Sequence, residues 1–284
     1  MKGSLVPFFD HRVFKSIRKE KHRYFSLRVG YGRKGELPCL LNETGLDIIK
    51  FCDGKHSRSD IVDEMSKLYK NVSLDRLSAD VEEFLERLTK SSALLWIGET
   101  WIPHSSWVER ISGGILAACE PECWLLTSQF LNRSENTHIL LSSDGEGHCF
   151  DPILHGGCAR SSLMLALLDQ DNRIKVIVMF TVVDYGMDVY LNFDRIDLRV
   201  DSDIKWLKSI LCGSIRIIDS TYSEQPKPSR IRVWMRESLP QKNSFIECLN
   251  ALGFVEEVRL KTGLFNSVVT GYSQDWNSIL EGVA

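Results

Sequence analysis

"LNETGLDIIKFCDGKHSRSDIVDEM" (Leu41–Met65) decides the fold of the first part of the chain. Asn42 has the right side chain to cap a helix, because its oxygen accepts a bond from a free amide in the first turn. Leu46, Ile49 and Phe51 lie near one face of that helix, and Gly54 is a natural stop. In "SRSDIVDEMSKLYK" (Ser57–Lys70), Ile61, Met65 and Leu68 recur at helical spacing. Acid at Asp60, Asp63 and Glu64, with base at Lys67 and Lys70, suits the dipole of this second helix. Ser73 is placed to cap a third, in which Leu74, Leu77, Val81, Phe84, Leu85 and Leu88 form an apolar stripe. Upstream, "YFSLRVG" (Tyr24–Gly30) alternates as a strand, and "PCLLN" (Pro38–Asn42) reads as a second. Pro38 fits the first residue of a strand or an exposed edge. "ALLWIG" (Ala93–Gly98) closes the unit as a strand or tail.

The chain has 284 residues, room for about two domains. At 43% hydrophobic and 26% charged it is an ordinary globular composition. A net charge of −3 makes no general case for nucleic acid. The charge is uneven: residues 1–35 hold ten Lys or Arg against Asp10 and Glu20. Such a segment attracts an acidic partner or keeps an edge strand soluble. No stretch reaches the ~18 apolar residues of a membrane span, and no signal-peptide core follows the first lysine. The expectation is a cytoplasmic protein whose eight cysteines are reduced thiols.

"WIGETWIPHSSW" (Trp96–Trp107) reads as the junction, dividing the chain into 1–98 and 105–284. "VERISGGILAACEPECWLLTSQFL" (Val108–Leu131) reads as helix interrupted by Gly113, Gly114 and Pro121. "THILLSS" (Thr137–Ser143) reads as a strand, and "ARSSLMLALLDQ" (Ala159–Gln170) as a helix with Leu163, Ala166 and Leu167 on one side. Arg173–Val183 and Val189–Val200 form an antiparallel hairpin, both rich in branched or alternating residues. "SDIKWLKSIL" is a helix capped by Ser202 or Asp203. "RIRVWMR" (Arg230–Arg236) is a strand, "NSFIECLNALGF" a helix ending at Gly253, and "EEVRLKTG" and "NSVVTGYS" are two last strands. Strands alternate with helices but hairpins are present too, so the class is α/β or α+β with a mixed sheet.

Two families are resembled. "LNETGLDIIKFCDGKHSRSDIVDEM" followed by "DVEEFLERLTKSSAL" is similar to the PqqD family, the recognition element for precursor peptides of ribosomally made natural products. The resemblance implies a winged-helix-like domain of a small sheet and three helices. Its leader peptide would add as a strand beside Pro38, Cys39, Leu40 and Leu41 and touch Arg76, Asp80, Glu83 and Arg87 on the third helix. Strand addition is physically reasonable, since an unpaired edge offers main-chain donors and acceptors. "RIRVWMRESLPQKNSFIECLNALGFVEEVRLK" (Arg230–Lys261) is similar to the strand–helix–strand tail of the GNAT family of N-acetyltransferases. Asn243 and "ALGF" (Ala251–Phe254) carry that match. It implies a mixed sheet with flanking helices and an acyl donor, acetyl-coenzyme A or a longer acyl-coenzyme A.

Coenzyme binding would then fall to Arg199, Ser202 and Asn243. Yet "RVDSDIKWL" (Arg199–Leu207) has no glycine where a phosphate turn needs close backbone approach, and its two aspartates repel phosphate. Leu249 stands where many family members carry a tyrosine, so the proton carrier falls to Glu237 or Asp194, with Asp197 as a rival. Cys119, Cys123, His148, Cys149, His155 and Cys158 are the weaker metal set, at non-standard spacing. "HGGCARSS" lacks the Gly-Lys-Ser/Thr ending of a phosphate loop. A Cys–His nucleophile at Cys149 or Cys158 lacks an orienting group.

The resulting expectation is a tailoring protein that binds a precursor leader and acylates an amine of the tethered core peptide. The alternative is a scaffold without chemistry that presents the peptide to another modification enzyme.

Overall fold

The computed structural model describes residues 5–9, 14–19, 25–29, 39–90, 93–103, 107–133, 136–139, 162–184, 189–199, 201–221, 227–239, 241–262 and 267–283. The chain divides into two compact units, Met1–Trp101 with Pro121–Leu126, and Ile102–Glu120 with Thr127–Ala284.

In the first unit, β1 (Val6–Phe8) pairs antiparallel with β5 (Leu95–Ile97). A second antiparallel sheet has the order β2 (Phe14–Lys19), β3 (Phe25–Val29), β4 (Cys39–Leu41). Three helices follow: α1 (Glu43–Phe51), α2 (Arg58–Leu68) and α3 (Leu74–Lys90). Asn42 caps α1, its Oδ1 accepting the Gly45 amide at 2.8 Å. Ser57 and Asp60 form a reciprocal capping box on α2. Helix α1 ends at Phe51, before Gly54, whose φ of +76° serves the turn toward α2. Leu77, Val81, Phe84, Leu85 and Leu88 of α3 are buried with Ile48, Ile49, Ile61 and Met65. Leu68 and Leu74 do not join them; they are 57% and 55% exposed, because each sits at a helix end that turns off the core. The 3₁₀ turn Pro121–Cys123 belongs to this unit, and Glu122 accepts from Arg58 at 3.3 Å.

Trp96 is among the largest buried side chains. Its indole Nε1 donates to Thr89 Oγ1 at 2.9 Å, and that hydroxyl donates to Leu85 O at 2.7 Å. Thr89→Val keeps the shape but leaves a buried N–H without its acceptor. We expect the first unit to lose about 1–3 kcal/mol, read by urea unfolding under tryptophan fluorescence. An unchanged midpoint would show that the bond contributes nothing.

The second unit is built on a nine-stranded mixed sheet. Its strands are β6 (Val108–Ile111), β7 (Gly114–Ala118), β8 (Asn136–Ile139), β9 (Ser162–Leu168), β10 (Ile174–Asp184), β11 (Val189–Leu198), β12 (Arg230–Arg236), β13 (Val255–Thr262) and β14 (Ser267–Asp275). The order is β13-β14-β12-β11-β10-β9-β7-β6, with β8 also on β11. Among the described residues only β11 and β12 pair in parallel. Helices α5 (Leu207–Thr221), α6 (Lys242–Ala251) and α7 (Trp276–Val283) supply Ile210, Leu211, Ile215, Phe245, Leu249 and Ile279 to one core with the sheet. Among the described residues no helix is long and apolar enough to cross a membrane.

Three expectations are corrected here. Ser162–Leu168 is a strand, not part of a helix, and it is buried from Met164 through Leu168 because it lies inside the sheet with both faces covered. Val108–Ala118 is a hairpin rather than helix; helix appears only at α4 (Trp124–Arg133). The hairpin turns at Gly113 and Gly114, both at positive φ, and a Cβ on Gly114 would lie 1.8 Å from the Leu168 carbonyl oxygen. "SDIKWLKSIL" opens as a 3₁₀ turn, Asp201–Trp206, and α5 begins only at Leu207.

Candidate functional site

Strand β4 has β3 on one side and no partner strand on the other among the described residues. It runs through Asn42 directly into α1. There a cleft of about 460 Å³ opens between α1 and α3, lined by Asn42, Thr44, Gly45, Ile48, Asp80, Glu83, Phe84 and Arg87. Gly45 makes this approach of the two helices possible: a Cβ there would stand 2.9 Å from the Phe84 ring. Ile48 and Phe84 are buried and give the cleft an apolar floor, whereas Asp80, Glu83 and Arg87 are exposed at its rim.

The cleft brings Asp80, Glu83 and Arg87 together. Arg76 is not in its lining; it lies 4.0 Å from Asp80, on the side of α3 open to water. Leu41 is fully buried, main chain included, so it holds the base of β4 in the core and offers a partner no surface of its own. Cys39 and Leu40 lie in β4, and Pro38 falls outside the described residues. Sequence reasoning did not single out Thr44, Gly45, Ile48 or Phe84 for the site. The available signal was the Thr-Gly pair at the start of α1, where small side chains allow close helix contact.

In the second unit, the carboxylates expected to carry protons are held by cations or hydroxyls. Glu237 follows β12, its amide bonded to Val268 O at 2.9 Å. Lys242 at the start of α6 donates to its carboxylate, Thr270 Oγ1 donates at 3.3 Å, and Arg259 lies at 3.8 Å. The Lys242 bond holds the Glu237 carboxyl below its ordinary value, against a smaller opposing effect of burial. As a base, Glu237 would therefore be deprotonated throughout the neutral range, and any acid limb it caused would lie below pH 4.5. Lys242→Met removes the largest cause. The Glu237 carboxyl should then titrate at higher pH by carbon-13 NMR; an unmoved titration would refute the pairing.

Asp194 is the extra residue of a bulge, since β10 pairs Met179 with Arg195 but Phe180 with Phe193. Thr181 Oγ1 donates to it at 2.5 Å. The bulge also turns Arg195 and Asp197 away from the α5–α6 core, where Phe193, Ile196 and Leu198 point. Buried Asp197 accepts from Arg195 Nε at 2.5 Å and Nη2 at 2.8 Å.

These pairings separate the candidates. Thr181 stands opposite Asn192, between core-facing Leu191 and Phe193, so Asp194 lies on the second face of the sheet. Thr270 stands opposite core-facing Met235, so Glu237 lies on the first. The two carboxylates cannot share one reacting centre.

Arg199 is exposed just past β11, with its amide on Lys175 O at 2.8 Å. Ser202 lies in the 3₁₀ turn, and Asn243 is exposed in the first turn of α6. That 3₁₀ turn holds Asp201 and Asp203 and no glycine, which is a poor cradle for pyrophosphate. Strands β11 and β12 pair only over Tyr190–Phe193 and Arg230–Val233; beyond, β8 lies on β11 at Arg195–Leu198. Cys119 and Cys123 are not joined in a disulfide, and among the described residues no three potential ligands gather around a metal position. His148, Cys149, His155 and Cys158 lie outside the described residues.

Among solved structures, similar chains include a point mutant of the spermidine N-acetyltransferase SpeG from Vibrio cholerae, 14% identical with a TM-score of 0.46, covering 63% of this chain and 100% of its own. The ribosomal-protein-S5-alanine acetyltransferase of Vibrio fischeri is 13% identical with a TM-score of 0.44, covering 59% and 96%. A GNAT-family acetyltransferase of Bacillus anthracis is 10% identical with a TM-score of 0.44, covering 60% and 99%. At these values none of them assigns an activity to this chain. No curated protein matches the sequence. The segment that carries β4, the cleft and the three helices, residues 39–94, matches the family model of coenzyme PQQ synthesis protein D, PqqD.

Proposed function

We propose that this chain is a peptide-tailoring acyltransferase. Its first unit holds the leader of a ribosomally made precursor in extended form, and its second acylates an amine of the attached core. The observation that carries the reading is the edge of β4, which has no second partner strand among the described residues and runs into the α1–α3 cleft, inside the segment that matches PqqD. An edge of this kind binds by main-chain bonds, and the cleft adds side-chain selection. A leader held in this way raises the local concentration of the core, so the second unit need not bind it tightly. The acyl-transfer half rests on the likeness of the tail β12–α6–β13 to the GNAT family. In the transfer, the amine nitrogen attacks the thioester carbonyl, the C–S bond breaks, and the amine proton passes to water or a base as the thiolate leaves.

A second reading, a scaffold without chemistry, is favoured by two observations: Glu237 and Asp197 are each engaged by cations, and the turn after β11 lacks glycine. Acetyl-coenzyme A separates the two. Binding to the folded state should raise the unfolding midpoint, by about 2.7 kcal/mol of stabilisation at a hundred times Kd. Mass spectrometry of a precursor encoded beside the gene, after co-expression, should show the gain of one acyl group. No protection at millimolar donor and no mass gain would leave the scaffold.

A further inference from the structure

We propose that the α1–α3 cleft selects extended segments that place a lysine or arginine two positions from an aliphatic or aromatic anchor. This rests on the peptide-binding reading above and adds the chemistry of the peptide. The anchor is set by the floor, where Ile48 and Phe84 meet beside Gly45, which has no side chain to fill the space. The basic residue is set by the rim, where Asp80 and Glu83 stand against a single cation, Arg87.

Neither acid is strongly committed elsewhere. Glu83 has no ion pair among the described residues. Asp80 is only 4.0 Å from Arg76, with both side chains mostly in water, an arrangement of little worth. Arg87 lies with its guanidinium centre 5.9 Å over the Phe84 ring. The amino end of α1 also borders the cleft and would by itself favour negative charge. That preference is already answered inside the helix, by Asn42 on the Gly45 amide and by Glu43 in the first turn.

The spacing follows from two repeats. Alternate side chains of an extended peptide point the same way and lie ~6.7 Å apart. Residues three to four apart on a helix are separated by about 4.5–6 Å along its axis. A segment lying along α3 with its anchor on Phe84 therefore brings a side chain two positions toward the start of the helix over the preceding turn, beside Asp80, with Glu83 adjoining Phe84 between the two.

The test is selection of a displayed library of random 16-residue peptides on the full chain, followed by titration of synthetic consensus peptides. We expect enrichment of Lys or Arg two positions from Leu, Ile, Val, Met or Phe. The double variant Asp80→Lys with Glu83→Lys should bind the consensus peptide about tenfold more weakly and should prefer a copy with glutamate at the basic position. Both residues are exposed on α3, and circular dichroism verifies that the variant folds. Wild-type affinity should also fall with added salt. Enrichment without a basic residue at that spacing, or unchanged affinity in the variant, overturns the inference. A consensus peptide N-methylated on alternate amides separates this from the parent reading. If methylation weakens binding while charge does not matter, the clamp stands and the charge selection falls. If no peptide is enriched, or methylation has no effect, strand addition falls and takes the inference with it.

Discussion

A chain carrying Gly45→Val is expected to lose peptide capture by more than tenfold. The argument is steric. Even a Cβ at this position lies 2.9 Å from Cε2 and Cζ of Phe84, closer than real side chains pack, and 3.3 Å from Asn42 Oδ1. Phe84 lines the cleft, so a ring displaced from its place beside position 45 alters the space that the peptide would fill. Overpacking of this kind costs about 1–3 kcal/mol, and strain on the Asn42 cap adds up to ~1 kcal/mol. Valine gains little of the helix propensity that alanine would return, being branched at Cβ. The measurements are the unfolding midpoint of the first unit and a titration with the selected consensus peptide. Retained affinity in a folded variant would mean that the peptide does not use the cleft.

The second large effect concerns the buried ion pair of the second unit. Arg195→Met should destabilise that unit by about 3–5 kcal/mol in urea unfolding. Asp197 is fully buried and takes two bonds from Arg195, so removing the guanidinium takes away the cation that offsets a buried charge. The double variant Arg195→Met with Asp197→Asn should recover part of the loss, because the charge itself is then gone. If the single variant is as stable as the parent, the pair contributes nothing to stability. If the loss appears, Asp197 is a structural carboxylate and no longer a rival for proton transfer.

The helices of the first unit and the hairpin β10–β11 were legible from local pattern. In each, the residues that meet lie within a few turns or across one short connection, and their periodicity records the buried face. Strand β9 was not legible. "SLMLALL" is composed of good helix formers, and it is extended because strands pair on both sides of it. The hairpin β6–β7 was hidden for a related reason: Gly113 and Gly114 mark a break, but only the carbonyl of Leu168 shows why no side chain is tolerated at Gly114.

For the site, the resemblance to the PqqD family pointed to Pro38–Leu41 as an edge and to Arg76, Asp80, Glu83 and Arg87 as a wall, the polar positions that the apolar stripe of the third helix leaves facing outward. The sequence by itself determined a small strand-and-helix unit followed by a mixed-sheet unit, because hydrophobic repeat and capping chemistry are local. Only the tertiary structure decided that Gly45 opens the cleft, that a bulge places Asp194 on the face opposite Glu237, and that Asp197 is already neutralised. Each of those depends on which distant backbone lies alongside, and distances between remote segments leave no period in the chain.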